Sequence, residues 1–247
     1  MNEPPADYIP INRDKPHLIV ELVGPAGAGK TTLAQALNQC SRNTLISIPP
    51  YFRRIEHIPF FARNTLLLLP TLLHLYFTKD GRWLTPKEMA WMVTLKGWHR
   101  ALGRQASHNG TITLLDQGPV FMLAWLYGFG PKNLRGQSAK KWWSSTSKQW
   151  ADTLDMVIEL DTSDTILLER IRTRGKWHSV KGQSEAEVFE FLAHWRAAYE
   201  QVLSALTADG RGPKVFHFDS ARQSLDEIVN RVRVLLGFTD YNNKIVA

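Results

Sequence analysis

Two hydrophobic rhythms alternate along this chain. Short runs of aliphatic and β-branched residues occur at His17–Val23, Thr44–Ile48, Thr111–Leu115, Met156–Leu160 and Val215–Phe218. Turn-forming residues such as Pro49-Pro50 and His108-Asn109-Gly110 bound them, so they read as short strands buried on both faces. Between the runs the apolar residues take helical spacing; Leu33, Ala34 and Leu37 share one face of a helix over Thr31–Cys40. Strands alternating with helices predict an α/β fold, a three-layer sandwich with a five-stranded parallel sheet and helices on both faces.

The connections are unequal. About 60 residues separate the second run from the third and about 40 the third from the fourth, far more than a crossover needs. These segments, 42–110 and 117–151, are predicted to be helical insertions on the acceptor side of the domain, and they hold seven of the nine tryptophans. Trp91 and Trp98, with Leu95 between them, have the spacing of a buried helix face. The most apolar stretch, Ile58–Phe77, is interrupted by Arg63, Pro70 and His74. A spanning helix wants about 20 nearly uncharged residues, so the reading is a soluble helix pair broken near Pro70 with no transmembrane span. The open alternative is a face that touches lipid or a greasy acceptor.

Length and composition add bounds. At 247 residues with 44% hydrophobic and 21% charged side chains, the chain suits one soluble domain over 17–247, preceded by a proline-bearing arm at 1–16 without the basic start and apolar stretch of a signal peptide. One cysteine, Cys40, cannot form an internal disulfide, which fits a reducing, cytoplasmic setting. The net charge of +7 is uneven: +7 over 42–110 and +5 over 117–151, against −5 elsewhere. Basic insertions suit an anionic partner.

The chemistry is concentrated after the first strand. Gly24-Pro25-Ala26-Gly27-Ala28-Gly29-Lys30-Thr31-Thr32 matches G-x-x-x-x-G-K-[ST] between a predicted strand and a predicted helix. Glycines there let backbone N–H groups wrap phosphates, the helix offers its positive N-terminus, Lys30 reaches the β and γ phosphates, and Thr31 offers a hydroxyl to Mg²⁺. ATP and Mg²⁺ are therefore the expected cofactors. Asp116 ends the third strand, where open parallel sheets bind ligands, and is the candidate metal partner or base; a helix-capping aspartate is the competing reading. Arg170, Arg172 and Arg174 follow a helical segment at Asp164–Glu169, and arginines on a mobile lid over 170–182 could neutralise a transferring phosphoryl group. A solvated basic helix end is the alternative.

With these residues in hand, the chain resembles the P-loop nucleoside and nucleotide kinase superfamily, and thymidylate-kinase-like proteins in particular, from about His17 to Leu236. The family's Asp-Arg-Tyr motif and later Ala-Tyr-Gln resemble Asp116-Gln117-Gly118 and Ala124-Trp125-Leu126. Its fourth strand and arginine lid resemble Leu154–Asp161 leading to Arg170, Arg172 and Arg174. Its loop near the adenine resembles Asp219-Ser220-Ala221. The resemblance implies catalytic roles for Lys30, Asp116, Arg170 and Arg174, and nucleotide contacts from Arg172, Asp219 and Ala221. Gln117 stands where the family's arginine meets the acceptor, and Ser47-Ile48-Pro49 stands where relatives carry a glutamate before the proline.

A hydroxyl acceptor would need a base, for which only Asp116 or Glu56 is at hand, whereas a phosphate acceptor is already ionised. Arg53, Arg54 and Gln117 are the candidate acceptor contacts. The expected function is transfer of the γ-phosphoryl group of ATP to a small anionic acceptor such as a nucleotide. A nucleic-acid-binding protein or nucleic-acid-end kinase, and a regulatory ATPase, stay open as alternatives. A homodimer is plausible.

Overall fold

β1 (His17–Val23) is the central strand of a parallel sheet. Its side chains alternate between two apolar layers, with Val20 and Leu22 in one and Ile19 and Val23 in the other. In this computed structural model residues 17–40, 44–50, 54–78, 82–105, 111–175 and 178–237 are described. The expected N-terminal arm, Arg53 and residues 176–177 of the expected lid lie outside them.

The sheet continues with β2 (Thr44–Ser47), β3 (Thr111–Asp116), β4 (Met156–Asp161) and β5 (Lys214–Asp219), in the order β2-β3-β1-β4-β5. All four pairings are parallel, and the register sets His17 beside Thr111 and Val20 beside Met156. The five strands fall where the apolar runs predict them. Because β3 and β4 flank β1, successive connections leave on opposite sides of it, and the crevice beyond the carboxyl end of β1 becomes the ligand position.

One face of the sheet is covered by α1 (Lys30–Cys40), α6 (Asp164–Thr173) and α8 (Leu225–Leu235), through Leu33, Leu37, Leu167, Ile171, Ile228 and Val232. The other carries α4 (Pro119–Gly128) and α7 (Glu185–Thr207), beyond which α2 (Ile58–Phe77), α3 (Pro86–Gln105) and α5 (Gln137–Ala151) complete a second, tryptophan-rich core. Trp98 and Leu95 are buried in it as their spacing predicts, whereas Trp91 is only partly buried at its edge, and Trp150 stacks edge-on to Trp98 while donating its indole N–H to the Leu95 carbonyl. Full burial of such side chains is worth about 1.5–3 kcal/mol each. Ser184 and Ser224 begin α7 and α8 as capping boxes with Glu187 and Glu227.

The expected helix break at Pro70 is not present: α2 is one helix of 20 residues with Pro70 inside it. The ring removes the bond to the Leu66 carbonyl and strains the turn, at roughly 3 kcal/mol. Leu66 is 70% exposed, so water can reach that carbonyl, while Asn64, Leu68 and Leu75 hold the buried face on both sides of the proline. Asn64 sits against Gly97 of α3, where an added Cβ would meet its amide nitrogen at 2.2 Å. That close approach continues the packing through the weak point. By length and composition the helical segment Ile55–Phe77, which contains α2, would suffice to cross a membrane, and only 17% of its most apolar window is buried.

Candidate active site

The turn after β1 can cradle an anion because three of its residues take left-handed backbone conformations. Gly24, Gly27 and Gly29 have φ values of 132°, 86° and 98°, and at Gly24 an added Cβ would fall 1.9 Å from the Leu160 carbonyl oxygen. No other residue type fits there. α1 starts at Lys30, so the helix N-terminus and the loop amides face the same crevice. Lys30 donates to the carbonyls of Gly24 and Pro25 at 2.7 and 2.8 Å. Burial pulls its ammonium down to about 8; Asp116 and Asp161 oppose that shift and Arg174 adds to it.

Asp116, at the end of β3, accepts a hydrogen bond from the Thr31 hydroxyl at 3.0 Å. Residues 85 positions apart thus converge at the mouth of the loop, one in the first turn of α1 and the other at the end of β3. A hydroxyl and a carboxylate are hard oxygen donors, the chemistry that suits Mg²⁺. Gln117 follows, exposed and at φ 63°, and Gly118 then presses against Glu21: a Cβ at Gly118 would lie 2.6 Å from the Glu21 carboxyl carbon.

Glu21 is the residue that the sequence pattern passed over. It points from β1 to the start of α4, where its carboxyl accepts from the N–H groups of Val120 and Phe121 at 2.8 and 2.9 Å. It caps that helix from 99 residues away. Complete burial pushes it up to about 8; those N–H donors and that of Gly118 act against the shift, and the Asp116 charge adds to it. The Asp116-Gln117-Gly118 turn is therefore held from beneath by a buried acid. The sequence signal was a single carboxylate inside an apolar strand.

The arginines divide. Arg170 lies on α6 and is engaged three ways, donating to the Gly27 carbonyl at 3.3 Å, the Ser220 hydroxyl at 2.8 Å and the Ser220 carbonyl at 2.9 Å. It ties the glycine-rich loop to the β5–α8 connection. Arg172 is exposed on the same helix. Arg174 caps α6 and lies within electrostatic reach of Lys30 and His178. His178 is pulled down by burial and by those two cations, and Lys181 donates to the Arg174 carbonyl at 2.5 Å.

Beside the loop a cleft of about 590 Å³ is lined by Gly27, Thr32, Leu160, Arg170, Ser220 and Ala221, among others. Its floor is ordered by Asp219, whose carboxylate accepts from the Ala221 and Arg222 N–H groups at 2.9 and 3.3 Å. Asp219 thus shapes the turn while Ala221 lines the space. A second network missed by sequence supports the end of β4: Arg196 of α7 meets Asp161 at 2.6 Å, Asp164 at 2.5 Å and the Thr162 carbonyl at 3.0 Å. On the other side, Arg54 is exposed and pairs with Glu56 at 3.2 Å.

No protein-family model matches this chain, and no curated protein matches it. Solved structures do. Thymidylate kinase from Candida albicans superposes with a TM-score of 0.54 at 16% identity, covering 90% of this chain and 92% of that one. Deoxyadenosine kinase from M. mycoides, with products dCMP and a flexible dCDP bound, superposes with a TM-score of 0.50 at 16% identity, covering 90% of this chain and all of that one. At such identity the likeness is one of fold, and the fold is that of the P-loop nucleoside and nucleotide kinases.

Proposed function

We propose that on this P-loop kinase fold the chain works as an ATP-dependent phosphotransferase, moving the γ-phosphoryl group of ATP to a small anionic acceptor such as a nucleotide or another phosphorylated metabolite. The observation that carries this reading is the meeting of Thr31 and Asp116 at 3.0 Å beside Lys30. A cation donor set and a phosphate cradle then share one crevice. Thr31 and Asp116 would hold Mg²⁺, which when bound neutralises charge on the β and γ phosphate oxygens.

The remaining steps belong to the chain's own residues. The N–H groups from Gly24 to Thr32 and the start of α1 grip the phosphates, and Lys30, still largely protonated at pH 7, turns from the loop carbonyls to the β and γ oxygens. Adenine would enter the cleft lined by Thr32, Arg170 and Ala221. Arg170 holds that cleft to the phosphate loop, and Arg174, within electrostatic reach of Lys30, supplies positive charge as the transferring group becomes more anionic. Arg172, being exposed, contributes at most from the rim.

Asp116 is the carboxylate poised at this mouth, and its partnership with Thr31 suits metal holding better than proton abstraction. An acceptor that arrives ionised removes the need for a base. The basic insertions favour such an acceptor, and Arg54 and Gln117 are the described candidates to meet it. The test is ATP consumption by the full chain against nucleosides, nucleotides, sugars and sugar phosphates. We expect turnover with a phosphorylated acceptor, lowered on the order of 100-fold or more in Lys30→Ala. Equal turnover by Lys30→Ala with every acceptor would overturn the proposal.

A further inference from the structure

We infer that the outer face of α2 docks onto an anionic lipid surface. The helix has two faces of opposite fate. Asn64, Leu68 and Leu75 turn inward against the second core. On the opposite side Ile58, Leu66, Leu69, Leu73, Tyr76 and Phe77 form one stripe at helical spacing, with exposures of 54, 70, 41, 46, 54 and 72%. Scattered exposed leucines need no explanation, but a continuous apolar stripe along a 20-residue helix does.

The stripe continues past the helix. Trp83 is 59% exposed and packs on Tyr76 with ring centroids 4.0 Å apart, and Tyr76 meets Phe77 edge-on at 5.3 Å. Aromatic rings gathered at one end of an apolar helix suit the headgroup boundary of a bilayer. A spanning orientation is excluded by the inward face, because Asn64, Leu68 and Leu75 are packed on protein. The helix can only lie flat, its outer stripe in the acyl boundary.

Charge favours an anionic lipid surface over a second copy of the chain. α2 carries no carboxylate, and Arg63 on one flank of the stripe is exposed. A second copy of α2 would bring no carboxylate to meet Arg63. An anionic surface meets it favourably, and the sequence surrounding the helix, 42–110, carries +7. Apolar area and electrostatic attraction then act together, as an in-plane helix requires.

Vesicle flotation of the full chain tests this, with phosphatidylcholine vesicles compared with vesicles containing phosphatidylglycerol. The wild-type chain should float with the anionic vesicles and less so at high salt. Leu66→Glu/Leu69→Glu should lower the bound fraction at least about tenfold, with circular dichroism and melting temperature unchanged because both side chains face solvent. Arg63→Glu should weaken anionic-vesicle binding while leaving binding to neutral vesicles as it was. Absence of flotation, or equal flotation of the double variant, would overturn the inference. So would a wild-type dimer in light scattering that the double variant converts to monomer, since α2 would then serve a second copy.

Discussion

Replacing Glu21 by glutamine isolates the titration of one buried carboxyl. Its folded-state pKa lies near 8, against 4.5 ordinarily, because burial disfavours the charge. Each unit is worth about 1.4 kcal/mol, so the full span from neutral to ionised limits is about 5 kcal/mol as an order of magnitude. The sign follows from proton counting. Between pH 4.5 and 8 the folded chain keeps a proton that the unfolded chain has released, so Glu21's contribution is fully present below pH 4.5 and is lost as pH rises through 8.

Glutamine cannot titrate, but its NH₂ group must face one of the two N–H donors at Val120 and Phe121, costing about 1–3 kcal/mol. Glu21→Gln should therefore be less stable than wild type at pH 5 and more stable at pH 9, with the curves crossing between. Urea denaturation of both proteins at each pH unit from 5 to 9 measures it, and taking the difference cancels groups common to both, such as Lys30. Parallel stability profiles would refute the reasoning: Glu21 would then not change charge in this window.

Other outcomes follow from the same geometry. Gly24→Ala should weaken nucleotide binding by at least about 2 kcal/mol in fluorescent-nucleotide titration, since its Cβ would meet the Leu160 carbonyl at 1.9 Å and φ 132° is strained for alanine. Asp116→Asn should lower kcat on the order of 100-fold and raise the Mg²⁺ concentration needed for half-maximal rate, read in a magnesium titration. Arg196→Met should destabilise the fold by about 1–2 kcal/mol in urea, because the partly exposed Asp161 and Asp164 lose a shared partner. His99 is pulled down to about 4 by burial, with Arg100 and Lys96 adding; its contribution is present above pH 6.5 and lost as pH falls through 4. His99→Phe should accordingly flatten the acid side of the stability profile.

The parts of the site that the sequence displays are the local ones. Gly24 to Thr32 encode a loop whose φ values are set by glycine and whose function needs only neighbours in the chain. The strands were legible because a run buried on both faces shows itself in five or six residues. Arg196 with Asp161, Glu21 with Val120 and Arg170 with Ser220 were not legible, since 35, 99 and 50 positions separate the partners. No periodicity marks such pairs; they exist only after the fold has brought their helices, strands and connections together.

α2 marks the same boundary most sharply. Its sequence determined that Ile58–Phe77 is strongly apolar and that Pro70 would weaken any helix through it. Whether the helix breaks and which face meets protein depended on Asn64, Leu68 and Leu75 finding partners beyond their own segment. Hydropathy counts apolar side chains, whereas burial depends on what packs against them. Local sequence thus encodes a glycine-rich loop on an α/β scaffold; long-range packing sets which carboxylate faces Thr31, which acid supports that turn from below, and which apolar face stays uncovered.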